Sequence, residues 1–272
     1  MDSEPLAWQP LTPRCIAAFA RASFGRLWLI QFVVSLLAAG VVVWFVKTDW
    51  YPVIAEAIGQ LPPQGQVRSS RLLWNADSPV SLAENRFLAL TVDLNHTGEV
   101  RSPAHLQAEF GTSDIKLISL FGFLECPYPR GYVVPFNRTD LGAWWGAWGP
   151  ILLAITAGAV VLWLFCSWSL LATAYCLPAW LLGFFANRDL TLAGSWRLAG
   201  AALMPGALWL IGAILLYGLG WLDLVRLMVA GAIHFVIGWI YLGFATFNAP
   251  RHPVATEPAG NPFGKTENPT GH

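Results

Sequence analysis

Long apolar stretches alternate with short polar clusters along this chain, and the lengths of the stretches decide what they form. Residues 27–46, 141–187, 198–222 and 227–250 each run without a charged side chain. At about 1.5 Å of rise per helical residue, some twenty such positions cross the roughly 30 Å hydrocarbon core of a bilayer. Backbone amides in lipid need internal partners, so an apolar run of this length has the spanning helix as its low-energy solution. The pattern predicts a polytopic, α-helical membrane protein.

Between the first and second stretches the period changes from helical to two. Phe87, Ala89, Thr91 and Asp93 alternate with Leu88, Leu90, Val92 and Leu94, and Asn95-His96-Thr97-Gly98 then supplies turn chemistry. Further strands are predicted at 70–74, 106–110, 115–120 and 132–136, bounded by Gly, Pro, Asp and Asn, with a short helix over 51–60. These elements make a small β-rich domain inserted after the first span.

The stretch after that domain poses a topology problem. Residues 148–185 would run about 57 Å as one helix, too long for one straight crossing and slightly short for two with a turn. One solution is a single span ending near Ala172, followed by a kinked or interfacial piece through Pro178; the other is a helical hairpin. Charge favours the first. With four spans, Arg188, Arg197 and Arg251 join Arg14, Arg21 and Arg26 on one side, which the positive-inside rule assigns to the cytoplasm; five spans would put the former three outside.

The expected fold is therefore an α-helical transmembrane bundle of four spans, five being the alternative, carrying a small β-rich extracytoplasmic domain. Its parts are a cytoplasmic N-terminal arm over 1–26, a first transmembrane helix over 27–46 and the β-rich domain over 47–144. A transmembrane bundle follows over 145–250, with an interfacial segment near 178–197, and then a disordered cytoplasmic tail over 251–272. Within the arm, Thr12 and Pro13 form a helix-start pair, and Ile16, Phe19, Ala20 and Phe24 against Arg14, Arg21 and Ser23 suit a short helix lying on the membrane surface. The first apolar stretch starts late and lacks a small-x-small cleavage pattern, so it is expected to stay as a signal anchor.

Composition narrows the function. At 56% hydrophobic and 12% charged, the chain leaves room for one modest water-soluble domain. Sixteen basic and sixteen acidic residues cancel, and no Lys/Arg stripe exists to neutralise phosphates, so nucleic acid is excluded as a partner. Trp28, Trp44, Trp50, Trp144, Trp145, Trp148 and Trp221 lie near predicted span ends and read as interfacial anchors. The four cysteines show no CxxC and no His at ligand spacing, so no metal or other cofactor is implied.

Two polar constellations merit weighing. Asp93, His96, His105, Glu109 and Asp114 would form an acid/base pair or an oxygen-rich cation site if the strands bring them together, although Asx-turn chemistry explains the first two as well. His234 is the single imidazole within a span, with Gly238 and Tyr241 on the same helical face. Buried ionisable groups are functional suspects, yet neutral His also serves as a packing and hydrogen-bonding residue between helices. Ala154 with Gly158, Gly206 with Ala213, and Ala230 with Gly238 sit near helix-contact spacing. Asn95-His96-Thr97 and Asn137-Arg138-Thr139 match a glycosylation acceptor. No nucleophile elbow, HExxH or phosphate loop occurs.

The layout also resembles a known family. A basic arm, one span, an outer domain with "RFLALTVDLNHTGEV", a return span and then "SWRLAGAALMPGALWLIGAILLY" are similar to a bacterial family of integral membrane proteins of unknown function, some encoded beside maltodextrin-utilisation genes. Arg197, Ala201, Met204 and Pro205 match its approach to a span, and Thr91, Val92, Asp93 and Gly98 its strand-and-turn segment. The resemblance implies a membrane protein with an outward domain and an accessory role near transport, and it carries no catalytic residues.

The expected function is thus non-enzymatic binding, sensing or accessory work by the outer domain of a cell-membrane protein with a cytoplasmic N-terminus. Its partners would be the bilayer together with a membrane or extracytoplasmic protein, or a second copy of the chain. The alternatives are a small transporter or transport-accessory subunit using His234, and an extracytoplasmic enzyme using Asp93 and His96.

Overall fold

The computed structural model describes residues 8–251; residues 1–7 of the arm and 252–272 of the expected tail lie outside them. Four helical paths are long and apolar enough to cross a membrane, and a small β-sheet region stands apart from them at one end. That end is called the sheet end below.

Helix α1 (Pro13–Ala18) begins where Thr12 Oγ1 accepts the Cys15 N–H, and a 3₁₀ turn over Phe19–Arg21 follows. Its apolar face is not free for lipid. Ile16 and Phe19 are fully buried in the core shared with Leu198, Leu242 and Ala245.

Helix α2 (Phe24–Phe45) passes through one π turn at Val46–Trp50 into α3 (Tyr51–Gln60), so that Phe24–Gln60 is one helical path of 37 residues. Thr48 Oγ1 donates to the Trp44 carbonyl within the π turn, a side-chain bond to the preceding turn's backbone that accompanies the local widening.

The strands come next: β1 (Gly65–Arg68), β2 (Arg71–Trp74), β3 (Val80–Glu84), β4 (Leu88–Val92), β5 (Leu106–Phe110), β6 (Asp114–Ser119), β7 (Gly122–Pro127) and β8 (Val133–Pro135). They form a three-stranded sheet ordered β2-β1-β8 and a five-stranded sheet ordered β3-β4-β5-β6-β7. All pairs are antiparallel except β4 with β5, where Leu88 faces Leu106 and Val92 faces Phe110 in parallel register. A parallel pair needs a crossover, and residues 93–105 provide it without a helix. The other face of the sheet packs Leu82, Leu88 and Val92 against Val53, Ala57 and Leu61 of α3.

Helix α4 (Arg138–Phe185) is 48 residues long, roughly 72 Å. The described residues give four helical paths long and apolar enough to cross a membrane, the number the charge pattern favours, and α4 continues through Pro150 and Pro178 without the turn a hairpin needs. The surplus length is used at the sheet end. There α4 lies beside α3, with the Tyr51 hydroxyl donating to the Gly149 carbonyl at 2.8 Å and the Tyr51 ring 4.6 Å from that of Trp145. Residues 178–197 therefore comprise the last turns of α4, a short turn and the start of α5.

Helix α5 (Leu192–Gly218) is central, with Leu198, Ala199, Ala201, Ala202 and Met204 fully or nearly fully buried. Helix α6 (Leu224–Asn248) returns beside it. A Cβ on Gly206 would meet the His234 carbonyl oxygen at 2.5 Å, so glycine is what lets these two backbones touch. Gly238 lies at the same crossing, whereas Gly158 on α4 has open space around it.

Candidate functional site

The parallel register places Glu109 opposite Thr91, and Gln107 opposite Ala89, on the face covered by the 93–105 crossover. Gln107 fastens that cover: its amide donates to Thr91 Oγ1 at 3.0 Å and to the Val100 carbonyl at 2.9 Å, while the Ser102 N–H donates to its oxygen. Asp93 directly follows β4 and is 1% exposed. Its carboxylate accepts the Thr97 hydroxyl and the Gly98 N–H, both at 2.9 Å, and the Asn95 N–H at 3.3 Å. Burial alone would raise its pKa, but these hydrogen bonds outweigh burial and hold the carboxyl below its ordinary range.

The same turn puts His96 in the left-handed region, φ 54°, and aims its ring at the strands. Nδ1 donates to Glu109 Oε1 at 2.5 Å, and Nε2 lies 3.4 Å from Asp114 Oδ1. Burial pulls the imidazole pKa down and Lys116 opposes protonation, yet the hydrogen bonds to Glu109 and Asp114 prevail and raise it. The ring occupies the space where a Cβ on Gly111 would stand.

Asp93, His96, Glu109 and Asp114 therefore gather under one loop. Both ring nitrogens of His96 are engaged, and the neighbouring hydroxyls of Thr97 and Ser113 donate to Asp93 and Asp114. What the arrangement can do chemically is hold the crossover on the sheet and take up or release a proton. Among the described residues no group of three ligating side chains is disposed to hold a metal ion.

His105 is not part of that cluster. It immediately precedes β5, at the opposite end of the strands from His96, where its Nδ1 is hydrogen-bonded with the Tyr217 hydroxyl at 2.5 Å and its ring stacks on that of Tyr217 at 5.5 Å. Phe87 and Phe45 complete the aromatic contact. Burial and the nearby Arg86 guanidinium lower the His105 pKa against a smaller opposing effect of Asp223. Arg86 itself donates to the Gly220 and Leu222 carbonyls, both at 2.9 Å, tying the sheet to the α5–α6 turn.

His234 and Tyr241 of α6 have separate partners. His234 Nδ1 donates to the Gly231 carbonyl of its own helix at 2.6 Å, and the Tyr241 hydroxyl donates to the Leu11 carbonyl at 3.2 Å. A different polar group stands out in the bundle: Gln31 on α2 is 1% exposed, and neither of its amide atoms has a hydrogen-bond partner among the described residues.

The feature missing from the sequence-based expectation is an apolar cleft at the sheet end, of about 380 Å³. Ile54, Ile58 and Leu61 of α3, Leu141, Trp144 and Trp145 of α4, and Leu90, Phe110, Ile115 and Phe136 of the sheet region line it, and no polar atom faces it. The 54, 57, 58 and 61 stripe on α3 was the available signal, being an apolar face at helical spacing outside any span. Another cavity, of about 480 Å³, opens between α5 and α6 with Arg226 at its margin. No protein-family model, no curated protein and no solved structure matches this chain.

Proposed function

We propose that the chain is a multi-pass cell-membrane protein whose sheet region faces outward and binds, without chemistry, the hydrocarbon chain of a membrane lipid in the cleft between the sheet, α3 and α4. The single observation that carries this reading is the cleft itself. Its 380 Å³ falls in the range of small-molecule sites, and its walls offer nothing to a polar ligand. At about 0.8 kcal/mol per buried methylene, roughly six buried methylenes supply about 5 kcal/mol before association costs. The α5–α6 cavity is the weaker choice, because bulk lipid would fill a groove on the flank of a spanning bundle.

Orientation follows from charge. Arg21, bonded to Asp189 at 2.9 Å, Arg197, donating to the Ala20 carbonyl, and Arg188, donating to the Ala249 carbonyl, cluster at the end away from the sheets. That asymmetry supports a cytoplasmic N-terminus. Sensing fits the same geometry, since α3 and α4 run from the cleft walls into the first two spans.

The test is electron paramagnetic resonance of a doxyl-labelled long-chain fatty acid added to the purified, reconstituted protein. Ile58 is half-buried in the cleft wall, so Ile58→Trp fills the space and is expected to remove most of the motionally restricted signal. An unchanged restricted fraction in a folded Ile58→Trp protein rejects the reading.

A further inference from the structure

The β6–β7 hairpin ends in a patch that the other described residues leave uncovered. Leu120, Phe121, Phe123 and Leu124 are 62%, 73%, 67% and 61% exposed, four large apolar side chains within five residues. Patches of this kind mark contact with another apolar phase. The sheet register states which way the patch points. Leu88 pairs with Leu106, Leu106 with Ser119 and Ser119 with Gly122, so the hairpin tip lies on the same edge of the sheet as the starts of β4 and β5. That edge meets the helix bundle: Arg86 bonds the α5–α6 turn, and Phe87 and His105 pack on Tyr217. With strands about 4.8 Å apart, the tip stands roughly 5–10 Å to the side of β5.

Polarity along the hairpin fits the same placement. Going away from the tip, Ile118 pairs with Phe123 and Leu117 with Leu124, and then Lys116 pairs with Glu125. The Lys116 ammonium lies 3.3 Å from the Glu125 carboxylate and 5.0 Å from the Phe123 ring centre. Three rungs at about 3.4 Å put this charged pair some 10 Å above the tip, about the depth to which interfacial segments bury their apolar side. Edge-to-edge pairing of β7 with a second copy fits less well, because the exposed apolar residues gather at the tip and Pro127 closes the strand.

We propose that the 120–124 tip is a second, non-helical membrane contact that inserts Leu120, Phe121, Phe123 and Leu124 into the outer-leaflet interface beside the bundle, with Lys116 and Glu125 at headgroup level. The inference rests on the outward-facing membrane reading above and is independent of the cleft. It makes the sheet region a body held to the bilayer at two places, the His105–Tyr217 contact and the hairpin.

The experiment uses the unaltered full chain in phospholipid vesicles doped with a phospholipid whose acyl chain carries a diazirine. After illumination and trypsin digestion, labelled peptides are identified by mass spectrometry. Cleavage after Lys116 and Arg130 isolates the tip as peptide 117–130, and peptides 102–116, 139–188 and 227–251 serve as sheet and bundle references. The expected result is label on 139–188 and 227–251 and, located by fragment ions within 117–130, on residues 120–124; label at Phe110 or Ile115 in 102–116, or at Tyr128 and Pro129, comes from a chain in the cleft, and label in 117–130 confined to Tyr128 and Pro129 overturns the inference. Label on the bundle peptides with none on 117–130 overturns the inference and leaves the membrane reading standing. No label on any of them overturns both. In the double variant Phe121→Asp and Phe123→Asp, label on residues 120–124 is expected to be lost while 139–188 is unchanged; undiminished label there also overturns the inference.

Discussion

His96 and His105 lie at opposite ends of the strands of one small sheet, and their surroundings push their pKa values in opposite directions. His96 gains two carboxylate partners and its pKa rises; a folded-state pKa above the unfolded one stabilises the fold fully below the ordinary histidine range and loses that contribution as pH climbs through the raised value. His105, desolvated and beside Arg86, has a depressed pKa, so its contribution is present above the ordinary range and is lost as pH falls. His96→Gln should therefore steepen the rise of stability with pH between about pH 5 and pH 8, and His105→Gln should flatten it. Thermal unfolding of both reconstituted variants across that range checks the pair of signs; a common direction for the two would refute the assignment. The sequence showed both imidazoles as candidates. It did not show which carboxylates each would meet, because Glu109 and Asp114 reach His96 only through the parallel β4–β5 register and the β5–β6 turn.

At the scale of elements, segments whose signal is local were legible and segments whose signal is supplied by neighbours were not. The 51–60 helix and the strands at 88–92 and 106–110 carry their own periodicity and turn residues. Strand β7 does not alternate at all, since both of its faces are exposed near the tip, and it went unseen. For α4 the sequence left a span ending near Ala172 with a kinked or interfacial piece through Pro178, or a hairpin, and the helix is continuous over Arg138–Phe185. In an apolar environment the freed carbonyl has no solvent to turn to, and the rest of the helix holds the path. The tightest helix contact is also local in origin. Gly206→Ala places a Cβ 2.5 Å from the His234 carbonyl and should separate α5 from α6 at a cost of about 1–3 kcal/mol. A lowered unfolding midpoint in detergent titration is the expected outcome, and wild-type stability would mean that the helices can move apart freely.

The whole molecule couples three devices: a bundle of four helices able to span a bilayer, a sheet region tied to one end of it, and an apolar cleft whose walls continue into two of those helices. The first was plain in the sequence, because charge-free runs of this length have few alternatives. The cleft was not, since it joins side chains as distant along the chain as Ile54 and Trp145. Trp144 and Trp145, read from the sequence as interfacial anchors, also line the cleft. The central claim is the orientation of this assembly: sheets outside, arginine-rich end inside. The most direct measurement is limited trypsin digestion of sealed, right-side-out vesicles carrying the native chain, with fragments identified by mass spectrometry. Cleavage after the exposed Arg68, Arg71 and Arg101, with Arg21 and Arg251 cut only after the vesicles are opened, is the predicted result. Cleavage after Arg251 in sealed vesicles, with Arg101 protected, would contradict it.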